Sequence, residues 1–376
     1  MHAITVRPTD KTDSKGRHRP GPECIEWTEV PTPKPGPGEV LVKVKAAGIN
    51  RGDLLQRQGL YPPPKGVSET MGLEVTGVIS SLGQDVTGWS EDDEVIALLA
   101  GGGYAEYVIV PAGQLLPIPE GIDPVTASTL IEVTATVISN MDHVGLARGE
   151  TFLVHGGAGG IGQFAIQYAK SLECTVITTC GTAEKQEFCR TLGADVALDY
   201  HEDWVAGVKD ATGGRGADVI LDVMGAKYLD LNVDALAIGG RLDIIGMQGG
   251  IKEATEGRGA DVILDVMGAK YLDLNVDALA IGGRLDIIGM QGGVKGELNI
   301  AKLLNKLAFV TATSLRPRPL EEKAKICQRV REVAWPLYTN GSIKPAPVES
   351  FPMSEAGRAH ERLESGEVLG KVALTL

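Results

Sequence analysis

The sequence predicts an α/β chain: a doubly wound parallel sheet together with a second, mostly β domain. Three observations carry that prediction. Strand and helix patterns alternate through residues 125–315. Short β-rich runs punctuated by proline and glycine fill residues 1–124. A glycine cluster joins one apolar strand to one apolar helix within residues 151–162, TFLVHGGAGGIG.

The glycine cluster is the most specific of the three. Phe152, Leu153 and Val154 form the end of a buried strand, and an apolar helical pattern runs from Ile161 to Leu172. Gly157, Gly159 and Gly162 supply the G-x-G-x-x-G spacing between them. The first glycine permits the tight turn, the second admits a pyrophosphate against the backbone, and the third lets helix pack on strand. The helix N-terminus then offers N–H groups and a positive dipole end to the phosphates. Gly157, Ala158, Gly159, Gly160, Ile161 and Gly162 are therefore expected to cradle the diphosphate of a dinucleotide on a Rossmann-type sheet. A bare strand-to-helix turn would use the same glycines.

The next strand, residues 174–180 (CTVITTC), narrows the cofactor. A site for NAD places an acidic residue at its end to accept from the ribose 2′-hydroxyl. Here Thr179, Cys180, Gly181 and Thr182 follow instead, with Lys185 one turn into the next helix. No carboxylate repels a 2′-phosphate, so NADPH is the expected cofactor. Lys185 also fits a solvated helix lysine paired with Glu184 or Glu187, which leaves that choice open.

Composition limits the partners. The chain has 376 residues, enough for two domains with their own cores. Its net charge of −13 argues against binding to nucleic-acid backbones or anionic membranes. No apolar run is long enough to span a bilayer, and MHAITVRPTD lacks the apolar segment of a signal peptide. The five cysteines are scattered and odd in number, which fits a reducing cytosol better than a disulfide framework. Neither they nor the six histidines show the spacing of metal ligands, so no metal site is expected. His155 reads as a strand-end residue beneath the diphosphate, because a base there would face phosphate rather than substrate.

One feature departs from an ordinary doubly wound sheet. Residues 214–250 recur letter for letter as residues 257–293, offset by 43 positions. Similarity upstream extends the units to 208–250 and 251–293. Each reads as strand ADVILDV, helix KYLDLNVDALA, strand GRLDIIG and loop MQGG. Two copies are too few for a solenoid. An extruded copy would expose unpaired strand edges. Insertion into the sheet is therefore expected, changing the strand order from 3-2-1-4-5-6 to 3-2-1-4-5-4′-5′-6. The first copy stays beside strand one, and residues 247–259 join it to the second copy by a right-handed crossover of minimal length.

The remaining elements follow from period and punctuation. Strands are expected at AITV, CIEWTEV, EVLVKVKAAGI, EVTGVISSLG, DEVIALL and YAEYVIV in the first domain. Further strands are expected at 151–155, 174–180, 195–199, 218–223 and 241–245. Residues 320–338 read as a helix, and residues 346–351 and 368–376 as strands returning to the β domain. The domains are then 1–124 with 316–376, and 125–315, with the active site expected in the cleft between them.

Several linked stretches resemble one family. AAGINRGDLLQRQGLYPPP, MGLEVTGVI, GGGYAEYVIVP, HGGAGGIGQFAIQYAK and SLRPR are similar to the zinc-independent, zeta-crystallin-like quinone oxidoreductases of the medium-chain dehydrogenase/reductase superfamily. The resemblance covers the chain apart from the second repeat copy and the 10–22 loop. It implies a GroES-like fold for the β domain. It places Asn50 and Leu73 where zinc-dependent relatives carry a ligand cysteine and histidine. It implies that Asn50, Asp53 and Tyr61 line the substrate side, and that Thr136 meets the nicotinamide. Gly181, Thr182, Lys185 and Tyr200 would surround the 2′-phosphate. Gly246, Met247 and Gly249, at the MQGG loop, would approach the nicotinamide ribose, although that loop now occurs twice. Ile131 departs from the family's usual proline. Asn50 also fits a helix N-cap before LLQRQ, with Asp53 in the same turn.

The expected activity is hydride or single-electron transfer from NADPH to a quinone. Reduction of α,β-unsaturated carbonyl compounds is the second reading, and non-catalytic NADPH binding the third. The resemblance also implies a homodimer.

Overall fold

The computed structural model describes residues 1–12, 18–223, 228–244, 260–265, 272–287, 295–312 and 315–376. They divide into two compact units, residues 1–136 with 315–376, and residues 137–314.

The first unit begins with strands β1 (His2–Val6) and β2 (Ile25–Glu29), which pair antiparallel as a sheet of their own. Next come β3 (Glu39–Ile49), helix α1 (Arg51–Arg57), β4 (Glu74–Leu82), β5 (Glu94–Leu98), β6 (Tyr107–Pro111) and β7 (Leu115–Pro117). Helices α2 (Pro124–Ala127) and α3 (Ile131–Val144) follow. Asp123 starts α2 by accepting from the N–H groups of Val125 and Thr126.

The second unit alternates strand and helix: β8 (Thr151–His155), α4 (Gly160–Ser171), β9 (Thr175–Cys180), α5 (Ala183–Thr191), β10 (Val196–Asp199) and α6 (Trp204–Ala211). The first repeated stretch forms β11 (Ala217–Asp222), α7 (Leu229–Ala235) and β12 (Leu236–Ile244). The second forms β13 (Ala260–Asp265), α8 (Leu272–Ala278) and β14 (Leu279–Ile287), before α9 (Ile300–Lys306) and β15 (Phe309–Ala312).

Eight strands make one sheet in the order β10-β9-β8-β11-β12-β13-β14-β15, and every pairing in it is parallel. This is the order expected for a repeat inserted into the sheet. β11 of the first copy lies beside β8, pairing Val219 with Phe152 and Leu221 with Val154. The two copies reproduce one register: Ala217 faces Leu236 as Ala260 faces Leu279, with the same irregularity after each. The crossover from β12 to β13 lies outside the described residues. In one core cluster of the sheet, Leu153, Ile177 and Ile220 pack with Val276, Leu279 and Leu285 of the second copy.

The chain then returns to the first unit through α10 (Leu320–Val333), α11 (Trp335–Thr339), β16 (Val348–Pro352), α12 (Ala356–Glu364) and β17 (Lys371–Thr375). The larger sheet there runs β16-β17-β3-β4-β5-β7, with β6 also on β3.

Two expected helices are corrected. Residues 320–338 are not one helix: the chain breaks at Ala334, and Pro336 sits in the first turn of α11, where its missing N–H costs no helical bond. The helix expected over KYLDLNVDALA ends at Ala235, because Leu236 already pairs with Ala217 in the sheet.

A buried arginine ties α1 to α12. Arg57 is 4% exposed, and its guanidinium donates to the Pro20 carbonyl (3.1 Å), His360 Nδ1 (3.2 Å) and the Glu364 carboxylate. Burial, reinforced by Arg57, pushes the His360 imidazole down to about 3, so it is neutral and free to accept. Replacing Arg57 with alanine leaves the buried His360 ring and the Pro20 carbonyl without the guanidinium. The expected loss is about 1–3 kcal/mol of unfolding free energy, measured by urea denaturation. A loss no larger than that of an exposed ion pair would refute this role.

Candidate active site

The candidate residues fall into two groups, one in each unit. In the first unit the group is organised by a carboxylate. Glu74 opens β4 and is completely buried. Its Oε1 accepts from Asn50 Nδ2 at 2.8 Å and from Lys371 Nζ at 3.1 Å. Its Oε2 accepts from the Glu132 N–H at 3.0 Å. Lys371 Nζ also donates to Asn50 Oδ1 at 2.6 Å. A buried carboxylate requires this many partners. The four residues come from β3's exit, β4, α3 and β17.

Asn50 is the N-cap residue of α1, as the motif suggested, but its amide group faces Glu74 and Lys371. Asp53 takes the capping work. Its Oδ2 accepts from the Asn50 N–H (2.8 Å) and its Oδ1 from the Gly72 N–H (2.9 Å). Burial raises the Asp53 carboxyl to about 6, against the pull of those two amides and of Arg316. Asp53 is fully buried, so it braces the α1–Gly72 corner from inside.

Tyr61 lies under Arg316, whose guanidinium carbon is 4.6 Å from the ring centre. The same guanidinium donates to the Ala100 carbonyl (2.7 Å), the Tyr61 carbonyl (2.9 Å) and Gln56 Oε1 (2.6 Å). Arg316, within the SLRPR stretch, thus fixes the loop that carries Tyr61. Thr136 lies on α3 and is half-buried.

Glu132 was not singled out from the sequence, yet it has the most altered carboxyl in this unit. It stands in the first turn of α3. Its pKa is pushed up to about 8, first by burial and then by repulsion from Glu74 and Asp53, against Lys371 and Lys323. Glu132 therefore holds a proton at neutral pH.

In the second unit the glycine loop joins β8 to α4. A Cβ built on Gly157 would lie 2.1 Å from Thr178 Oγ1, and one on Gly162 would lie 2.5 Å from the Gly156 carbonyl oxygen. Both positions exclude any side chain. A Cβ on Gly159 would meet only the Gly156 oxygen, at 3.4 Å. The face of Gly159 is thus open, at the uncapped N-terminus of a twelve-residue helix. Ala158, Gly160 and Ile161 complete the loop and the first helical residues. The loop sits where the strand order reverses, with β9 on one side of β8 and β11 on the other.

Beyond β9, Gly181, Thr182 and Lys185 lie at the start of α5. Thr182 caps the helix by accepting from the Lys185 N–H at 3.2 Å. Tyr200 joins them: a Cβ on Gly181 would lie 2.4 Å from its hydroxyl. Gly246, Met247 and Gly249, and the second MQGG loop, lie outside the described residues.

His155 is structural. Its Nδ1 pairs with Thr179 Oγ1 (2.8 Å) and its Nε2 with Asn232 Oδ1 (2.5 Å), while Asn232 Nδ2 donates to Asp222 (2.8 Å). Tyr228 stacks on its ring and Trp204 meets the ring edge-on. Burial holds this imidazole below its ordinary range.

No group of three or more potential metal ligands occurs among the described residues. No helix among them is long and apolar enough to cross a membrane.

Raising the Glu132 carboxyl has a consequence for stability. An unfolded glutamate releases its proton near 4.5, and folded Glu132 only near 8. The folded chain holds the extra proton between those values, so stability falls as pH rises through that window. Glu132→Gln removes this part of the slope. Urea midpoints of both proteins at the two ends of the window test it, and an equal difference at both ends would refute it.

Comparison with known proteins adds relatives to this geometry. A model of the alcohol dehydrogenase GroES-like domain matches residues 36–120. Models described as zinc-binding dehydrogenase match residues 160–251 and 246–374. Prostaglandin reductase-3 of Bos taurus is 37% identical over 218 residues, 58% of this chain and 58% of its own. The match thus spans less than two thirds of that relative's length. Quinone oxidoreductase of Pseudomonas aeruginosa is 34% identical over 230 residues, 60% of this chain and 70% of its own. The structure of Escherichia coli quinone oxidoreductase complexed with NADPH gives a TM-score of 0.69 at 25% identity, over the full length of both chains.

Proposed function

The chain belongs to the medium-chain dehydrogenase/reductase superfamily, and we propose that it is an NADPH-dependent reductase of conjugated carbonyl compounds, with a quinone as acceptor. The observation that carries this reading is the open face of Gly159 between two glycines whose side-chain space is already filled. That shape admits a diphosphate and excludes a side chain.

Bound NADPH supplies a hydride from its nicotinamide ring. The chain's own residues supply the rest. The amides of residues 157–162 hold the diphosphate. Gly181, Thr182, Lys185 and Tyr200 receive the adenosine phosphate, and Gly181 and Thr182, which directly follow β9, carry no carboxylate to oppose it. Thr136 contacts the nicotinamide, and Tyr61 lines the acceptor's side. Asn50, held in place by Glu74 and Lys371, lines the acceptor's side, and Asp53 braces the α1 corner. Glu132 holds the proton that balances negative charge growing on the acceptor oxygen.

The proposal uses no zinc. The donor set supports this: Asn50 is an amide already paired on both sides, Leu73 is a buried hydrocarbon, and the Lys371 ammonium supplies positive charge to Asn50 Oδ1 and Glu74 Oε1.

A second reading, reduction of a carbon–carbon bond conjugated to a carbonyl, is favoured by the 37% identity to a protein named prostaglandin reductase-3. Product analysis separates the two, since only the second consumes the C=C bond. The 43-residue repeat is read as a tandem duplication. The resemblance implies a homodimer through the last strand of this sheet, which the second copy displaces outward: among the described residues β15 ends the sheet. Light scattering is expected to give twice the chain mass.

Gly159→Ala tests the central claim. Gly159 has an extended backbone and only an ordinary contact for a new Cβ, so the thermal midpoint should stay near that of the unaltered chain. The methyl group would occupy the approach of the diphosphate and weaken NADPH binding by about tenfold or more. Unchanged affinity would sink the proposal. So would unaltered protein that fails to oxidise NADPH with any quinone or enone of a panel; tight binding without turnover would leave a non-catalytic NADPH-binding protein.

A further inference from the structure

Two thiols lie beneath the glycine loop, and the proposed reaction uses neither. Cys180 ends β9 and Cys189 lies on α5; both are buried free thiols. Their Sγ atoms are 3.3 Å apart. A Cβ on Gly157 would lie 2.9 Å from Cys189 Sγ, so this sulfur backs the first glycine of the loop. The segment between the two cysteines contains Gly181, Thr182 and Lys185, the residues assigned to the adenosine phosphate.

We propose that Cys180 and Cys189 form a reversible disulfide that lowers the affinity of the chain for NADPH. The cofactor part rests on the function proposed above; the disulfide itself does not.

The two sulfurs are chemically unequal. The bond from Cys189, and then the Ala158 and Gly157 amides, hold the Cys180 thiol below its ordinary range against the effect of burial. The bond to Cys180 and burial raise Cys189. Cys180 is thus the more readily ionised sulfur and takes the attacking role, and Cys189 resolves. With a peroxide, Cys180 Sγ attacks one oxygen and the O–O bond breaks. The departing hydroxide takes a proton and leaves as water, and Cys180 becomes a sulfenic acid. Cys189 gives up its proton, its sulfur attacks Cys180 Sγ, and the sulfenic oxygen leaves as a second water. Two electrons pass from the thiol pair to the peroxide, and a dithiol reductant reverses the change.

Closure brings the sulfurs from 3.3 Å to about 2.0 Å. It draws α5 toward the end of β9 and withdraws the sulfur that backs Gly157. It also removes the Cys180 thiol that the Ala158 and Gly157 amides face. Both parts of the proposed cofactor cradle shift together.

The test uses the reduced full chain, treated with hydrogen peroxide, quenched with a thiol-alkylating reagent, and read by intact mass and peptide mapping. The expected result is loss of two hydrogens, a linked Cys180–Cys189 peptide, and alkylation of Cys24, Cys174 and Cys327. Fluorescence titration should show NADPH binding about tenfold weaker after oxidation, restored by dithiothreitol. Cys189→Ser should give no linkage and a dimedone adduct on Cys180. Continued alkylation of Cys180 and Cys189 while other thiols oxidise would overturn the disulfide. A linked protein with unchanged NADPH affinity would overturn the control. A reduced chain that ignores NADPH would overturn the cofactor reading, and the control with it, while the linked peptide would still establish the disulfide.

Discussion

The buried Glu74 carboxylate is the interaction on which the first unit's site depends. Its two oxygens take hydrogen bonds from the Asn50 amide, the Lys371 ammonium and the Glu132 backbone. Those partners sit at the exit of β3, in the last strand of the chain and at the start of α3. Without such partners a completely buried carboxylate would be expelled or protonated. Satisfied on all sides, it fixes the orientation of Asn50, which an exposed N-cap asparagine would lack. One carboxylate thereby converts a helix cap into a directed amide.

The second unit depends on a different constraint, the absence of side chains at Gly157 and Gly162. The repeat leaves that constraint untouched, because β11 of the first copy occupies the place beside β8 and the second copy extends the sheet outward. Identical letters give identical pairing in both copies, but their polar groups have different fates. Asn232 finds His155 and Asp222, whereas Asn275, its counterpart, is buried with no partner for its Nδ2 among the described residues. There is only one β8, and so only one His155. An unmet buried amide costs about 1–3 kcal/mol. The second copy therefore carries the same helix at lower advantage, held by hydrocarbon packing of Val276, Leu279 and Leu285.

What was legible in the sequence follows the range of the physics involved. The glycine loop, the strands around it and the order of the extended sheet depend on local spacing, chain connectivity and edge protection, all of which can be read from letters. The break at Ala334 was also readable from Pro336, since proline favours a helix start over a helix interior. The Glu74 network was not readable in the same way. Asn50, Glu74, Glu132 and Lys371 lie up to 321 positions apart. Its one local trace was a charge inside apolar strands, Glu74 opening EVTGVI and Lys371 within GKVALTL. Charges in such places are retained only when something buried answers them.

That answer also separates the roles of the carboxyls in the first unit. Glu74 is matched by an ammonium and two neutral donors. Glu132 gives its backbone N–H to Glu74, while its own carboxyl feels burial and the repulsion of Glu74 and Asp53. The negative charge at Glu74 is thus part of what keeps a proton on Glu132. The Glu132 N–H bond that holds α3 to β4 also brings the Glu74 charge close to the Glu132 carboxyl. Removing the Lys371 ammonium would leave Glu74 without its cationic partner and would push the Glu132 carboxyl further up, because Lys371 opposes that rise through space.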